Sequence, residues 1–82
     1  MRIDDFLSTV GVIKRRTVAK ELGVSGLLEV NGRRVKPSYD VRVGDIVRIR
    51  GSRPTALEII AIPTGSVAKT DRESFFKTLT ES

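Results

Sequence analysis

The chain has 82 residues, room for one compact domain with one modest core, so a two-domain arrangement is excluded. Cysteine and histidine are both absent, which rules out disulfides, thiolate metal sites, imidazole ligands and a histidine general base. Fifteen Lys and Arg against ten Asp and Glu leave a formal charge of +5, and the excess is local. Residues 1–50 carry eleven basic and six acidic side chains, residues 51–82 four of each, so a basic face lies in the first fifty residues and favours a polyanion.

In chain order, Ile3, Phe6, Leu7 and Val10 fall at i, i+3, i+4 and i+7, the spacing of one apolar stripe, and predict a helix over residues 3–10. Gly11 ends it, and Asp4 and Asp5 suit the positive end of its dipole. The same two aspartates interrupt any secretory signal, and no run approaches the ~20 apolar residues of a membrane span, so a cytoplasmic protein is expected. A second helix is predicted over 15–22, with Val18, Ala19 and Leu22 as its packing flank and Gly23 as its stop. Arg16 and Lys20, four residues apart, project together on another flank. On this reading Val18→Asp unfolds the domain, whereas Arg16→Ala leaves it intact.

From Leu27 the pattern turns to short strands. Residues 27–30 and 33–35 flank Asn31–Gly32, a two-residue hairpin turn with positive φ. Lys36–Pro37–Ser38 breaks the run, and Gly44–Asp45 makes a turn after Val41 and Val43. In the strand over 46–50, Val47 and Ile49 face one way and Arg48 and Arg50 the other. A turn at 51–54 leads to a last strand over 57–62 that Pro63 ends. Thr70–Asp71–Arg72–Glu73 reads as a capping box, predicting a short helix over 71–79 that packs Phe75, Phe76 and Leu79 and has a structural or partner-docking role. The expected division is one domain at 1–62 and an extension at 63–82.

The chemistry lies in residues 13–20, where Lys14, Arg15, Arg16 and Lys20 cluster with no acid before Glu21. Guanidinium forks match phosphate oxygens, and a helix start adds its dipole and free N–H groups. Arg33 and Lys36, with Arg34, form a second basic group beside Asn31, whose turn role competes with an RNA contact. Arg48 and Arg50 are left out of the site. With four aromatic residues in the chain, Tyr39 beside Lys36 is the single candidate for base stacking. Recognition of shaped RNA through phosphates and 2′-hydroxyls is therefore favoured over reading of unpaired bases.

Arg2–Ile3–Asp4 with Phe6–Leu7, residues 14–20, Gly26, Val30–Asn31–Gly32, Lys36–Pro37–Ser38 and Val43–Gly44–Asp45 together resemble the S-four RNA-binding domain, or alpha-L motif. The resemblance implies an α+β fold, two N-terminal helices on a small, mostly antiparallel twisted sheet of about four to five strands, here with a short C-terminal helix. It is similar in particular to stand-alone members that bind free large ribosomal subunits in the heat-shock response or stabilise P-site tRNA in ribosome-associated quality control. Large-subunit rRNA and peptidyl-tRNA are the implied partners, with a factor that adds a C-terminal tail to the nascent chain on the same particle. Contacts at Arg2 and Arg16 are implied by the same resemblance. Two positions depart from the family pattern: Ile3 replaces the usual Leu, and Gly11 stands where a basic residue is common, which implies one phosphate contact fewer.

Three other readings compete. One is a structured-RNA module assisting rRNA or tRNA modification or ribosome assembly. Another is an adaptor docking through its C-terminal helix. The third is an enzyme using Asp40 and Asp45, against which stand the missing His and Cys, the lack of a glycine-rich phosphate loop and the turn position of Asp45. No cofactor, metal or small-molecule substrate is expected.

Overall fold

The computed structural model describes residues 1–51, 54–65 and 67–79. Part of the turn expected at 51–54 and the last three residues of the expected extension lie outside these. Helix α1 spans Ile3–Thr9 and α2 spans Arg16–Val24, followed by strands β1 (Leu28–Val30), β2 (Arg33–Arg34), β3 (Ile46–Ile49) and β4 (Thr55–Ile59). A 3-10 helix, Lys69–Phe75, leads into β5, Phe76–Leu79. The strands form one sheet of order β2-β1-β3-β4-β5 with every neighbouring pair antiparallel. The expected α+β architecture of two N-terminal helices on a small sheet is what the chain adopts.

The periodicities explain the core. Ile3, Phe6, Leu7 and Val10 of the first helical stripe are all buried, and they meet Leu28, Val30, Val47, Ile49, Leu57 and Ile59 from one face of the sheet. Val47 and Ile49 are buried while Arg48 between them is exposed, the alternation of a strand with one covered face. The β1–β2 hairpin closes through Asn31 at φ 53° and Gly32 at φ 83°, the two positive values that a tight two-residue turn requires. Asn31 fastens this turn to the start of β3. Its side-chain oxygen accepts from Ile46 N at 3.0 Å, and its amide nitrogen donates to Asp45 Oδ1 at 3.2 Å. Asp45 Oδ2 in turn accepts from Arg42 N at 3.0 Å, so Asp45 stabilises its turn.

Two expectations are corrected. Val18 is 42% exposed, and the flank of α2 that packs is Ala19, Leu22 and Gly23. The position of α1 selects which edge of the apolar arc is covered, so Val18→Asp buries no charge. The C-terminal helix over 71–79 is also replaced. A 3-10 turn ends at Phe75, and the chain extends along β4, pairing Ile59 with Phe76 and Leu57 with Thr78. The open edge of β4 offers ladder hydrogen bonds to a segment holding an aromatic and a β-branched residue, and those bonds outweigh a local capping signal that makes no side-chain cap here. Phe75 and Phe76 still pack against the core.

Candidate nucleic-acid interface

Asp4, the second residue of α1, is fully buried, and its carboxylate is the hub of the basic surface. Arg2 approaches it as a fork, Nε to Oδ1 at 3.2 Å and Nη2 to Oδ2 at 3.1 Å. Arg16, the first residue of α2, places Nε 3.7 Å from Asp4 Oδ2 and 2.9 Å from Asp5 Oδ1. Asp4 Oδ1 also accepts from the backbone N–H of Asp5 at 2.8 Å. A buried carboxylate with this many donors around it fixes both guanidinium groups, about half of each side chain remaining open to solvent. Sequence reasoning named Arg2 and Arg16 but took the aspartates as dipole partners only. The spacing Arg-Ile-Asp, with the acid beside the buried Ile3, was the available signal.

The start of the chain is held against the segment after the hairpin. Ile3 N donates to Tyr39 O at 2.7 Å, Asp4 N to Pro37 O at 3.3 Å, and Val41 N to Met1 O at 2.9 Å. Free N–H groups of the first turn of α1 are thereby satisfied, and Lys36 is drawn beside Arg2. On the other side, α2 reaches the same segment through Gly23, where a Cβ would stand 2.6 Å from Pro37 Cγ. Only a glycine lets the helix come this close.

These contacts create a groove. A cleft of about 400 Å³ lies between Arg2, Lys20, Gly23, Val24, Lys36, Pro37 and Ser38. A second, about 450 Å³, continues past Lys36 and Ser38 to Arg33, Arg34, Val30, Val35 and Tyr39. Four expected residues, Arg2, Lys20, Lys36 and Arg33, thus line one continuous depression, and Arg16 joins it through Asp4. Lys14 and Arg15 are exposed at the head of α2. Asn31 is exposed, but its amide is committed to Ile46 and Asp45, which makes its place in the hairpin its evident task. Tyr39 lines the groove beside Lys36, so a base that enters meets an aromatic ring there.

The charge pattern is one-sided. Lys14, Arg15, Lys20, Arg33 and Lys36 are exposed and have no carboxylate partner among the described residues. On the opposite sheet face Glu29 is instead matched by cations. The Arg50 guanidinium bonded to it holds its carboxyl below the ordinary range against the opposing effect of burial, and Arg48 and Arg34 add to the effect. Among the described residues no group of His, Cys, Asp and Glu is arranged to hold a metal ion. No helix in them is long and apolar enough to cross a membrane. The arrangement suits a ligand that presents successive phosphates along a curved path.

Comparison with known proteins agrees in both sequence and fold. The chain is 37% identical over 82 residues, all of its length and 93% of the other's, to the RQC P-site tRNA stabilizing factor of Streptococcus pneumoniae. Over 50 residues, 61% of this chain and 58% of the other, it is 46% identical to the factor of the same name in Bacillus subtilis. The trimeric heat shock protein 15 of Vibrio cholerae superposes with a TM-score of 0.86 over 96% of this chain and 81% of that one, at 24% identity, a likeness of fold. Residues 1–47, which hold both helices, the hairpin and every expected contact residue, match the S4 domain, and the chain belongs to that family.

Proposed function

We propose that this protein binds the RNA of large ribosomal subunits obstructed by a nascent chain and stabilises the peptidyl-tRNA in their P site during ribosome-associated quality control. The observation that carries this reading is the groove from Arg16 and Arg2 through Lys20 and Lys36 to Arg33, in which Asp4 holds the two arginines in place and the other three cations have no carboxylate partner among the described residues. Near full-length similarity to a factor whose name states that role supports it. Binding alone accomplishes the task. A tRNA held by phosphate contacts on both of its sides dissociates more slowly, and no bond is made or broken by the protein. It acts without catalysis, in the cytoplasm, as a module at 1–62 whose extension from 63 onward completes the sheet. A factor that adds the C-terminal tail works on the same particle.

Co-sedimentation with large subunits, empty or carrying peptidyl-tRNA, tests the reading at two salt concentrations. The expected result is preference for the tRNA-carrying particle, weakened by Lys20→Ala and by higher salt. The salt dependence should follow a slope of about 0.9 per duplex phosphate contacted, or about 0.7 on single strands. Equal binding to both particles would replace it with the wider reading of a structured-RNA module for rRNA or tRNA maturation. Binding that ignores both salt and Lys20→Ala would remove the groove from the account.

A further inference from the structure

Gly11 follows α1 at φ +79°, three residues before Lys14, and its bare α-carbon is covered by a side chain from the far end of the sequence. A Cβ at Gly11 would stand 3.0 Å from both Cδ and Nη1 of Arg72 and 3.3 Å from its Cζ. The glycine therefore serves as a flat seat for a guanidinium. Arg72 is held there by the fold, because the 3-10 turn that carries it runs directly into β5, whose first residue, Phe76, pairs with Ile59 and packs on the core. Its side chain is half-buried, its Nε is buried without a hydrogen-bond acceptor, and among the described residues no carboxylate pairs with it. Its chain neighbours Asp71 and Glu73 are exposed, and three residues per turn point them away to either side.

We propose that Arg72 is an additional phosphate-contacting residue, seated by Gly11 at the edge of the basic segment and meeting the same RNA as Lys14 and Arg15. This rests on the RNA-binding reading and extends the interface from residues 1–47 to the C-terminal segment, to which the sequence assigns a structural or partner-docking role. Arg72 has no carboxylate partner among the described residues; its Nε stays covered, and the outer, partly exposed end of the guanidinium is what a phosphate oxygen meets. Its other neighbours make phosphate the fitting class of ligand: the basic residues that follow Gly11 already draw a polyanion to this corner.

The test is binding of labelled bulk tRNA to Arg72→Gln, Lys20→Gln and the parent across a salt series, with thermal melting of each. The expected result is that Arg72→Gln melts like the parent, binds about tenfold more weakly at 0.1 M salt, and lowers the salt slope by about 0.7–0.9, the loss of one phosphate. Arg72→Lys should regain most of the slope. Should Arg72→Gln fold poorly, Gly11→Asn replaces it. Asn accepts the left-handed conformation, its side chain displaces the end of Arg72 from the seat, and the same fall in slope is expected. A parent-like slope in a folded Arg72→Gln, with Lys20→Gln reduced, overturns this inference alone. Parent-like slopes in both variants overturn it together with the groove on which it depends.

Discussion

Asp4 is an acid beneath the proposed RNA-binding surface, and it contributes by holding Arg2 and Arg16 where they are. Asp4→Asn keeps the volume but leaves two guanidinium groups facing a neutral amide. It should lower stability by about 1–3 kcal/mol in thermal or denaturant unfolding, and weaken tRNA binding although no RNA-contacting atom has been removed. Arg16→Ala is correspondingly less innocent than the sequence suggests, since it strips Asp4 and Asp5 of a partner as well as removing a proposed phosphate contact. At Val18 the opposite holds. The side chain is exposed, so Val18→Asp should unfold within about 0.5 kcal/mol of the parent, and a collapse of the fold would show that α2 packs on its other edge.

Among the elements, α2 is the one whose placement decides the groove. Gly23→Ala adds a single methyl where Pro37 already stands, and either α2 or the turn carrying Lys36 must retreat. A loss of about 1–3 kcal/mol is expected, with weaker RNA binding that Gly23→Ser does not relieve; a variant as stable and as tight-binding as the parent would show that the helix has slack. How far such elements are legible in sequence varies for physical reasons. Helix α1 declares itself because Ile3, Phe6, Leu7 and Val10 all share one stripe, and the hairpin because Asn31–Gly32 accepts a backbone that few residue pairs accept. Strand β5 is hidden because a local capping pattern ahead of two phenylalanines argues for a helix, while the reason for a strand, the vacant edge of β4, lies 17 to 23 residues away in the chain. The candidate contact residues are legible as cations. Their anchors, Asp4 and Gly23, are recognised only by what the folded chain packs against them.

At the level of the whole molecule, charge is separated by the sheet. The helix side carries the cations of the groove, and the far face balances Glu29 against Arg50, Arg48 and Arg34. At the chain start the Met1 ammonium, 2.5 Å from Asp40, likewise holds that carboxyl below the ordinary range. Both groups are depressed in the folded protein, so each stabilises it above its unfolded-state value, and that stability is lost as pH falls through the folded one. Stability should therefore be level from neutral pH down to the ordinary carboxylate range and fall below it. Glu29→Gln should be less stable at neutral pH and lose less on acidification, as read from melting temperature against pH; an acid profile identical to the parent's would remove Glu29 from this role.

The buried carboxylate beneath Arg2 and Arg16 has a thermodynamic consequence. A free arginine side chain gives up on the order of 2 kcal/mol of rotational freedom when a ligand immobilises it. Here two of them are already restrained in the unbound protein, Arg2 by hydrogen bonds to Asp4 and Arg16 by ion pairs with Asp4 and Asp5. That loss belongs to folding, and RNA meets cations that need little further ordering. In calorimetry, association should show a smaller entropic penalty than in Asp4→Asn, where the same two side chains must be ordered by the RNA itself.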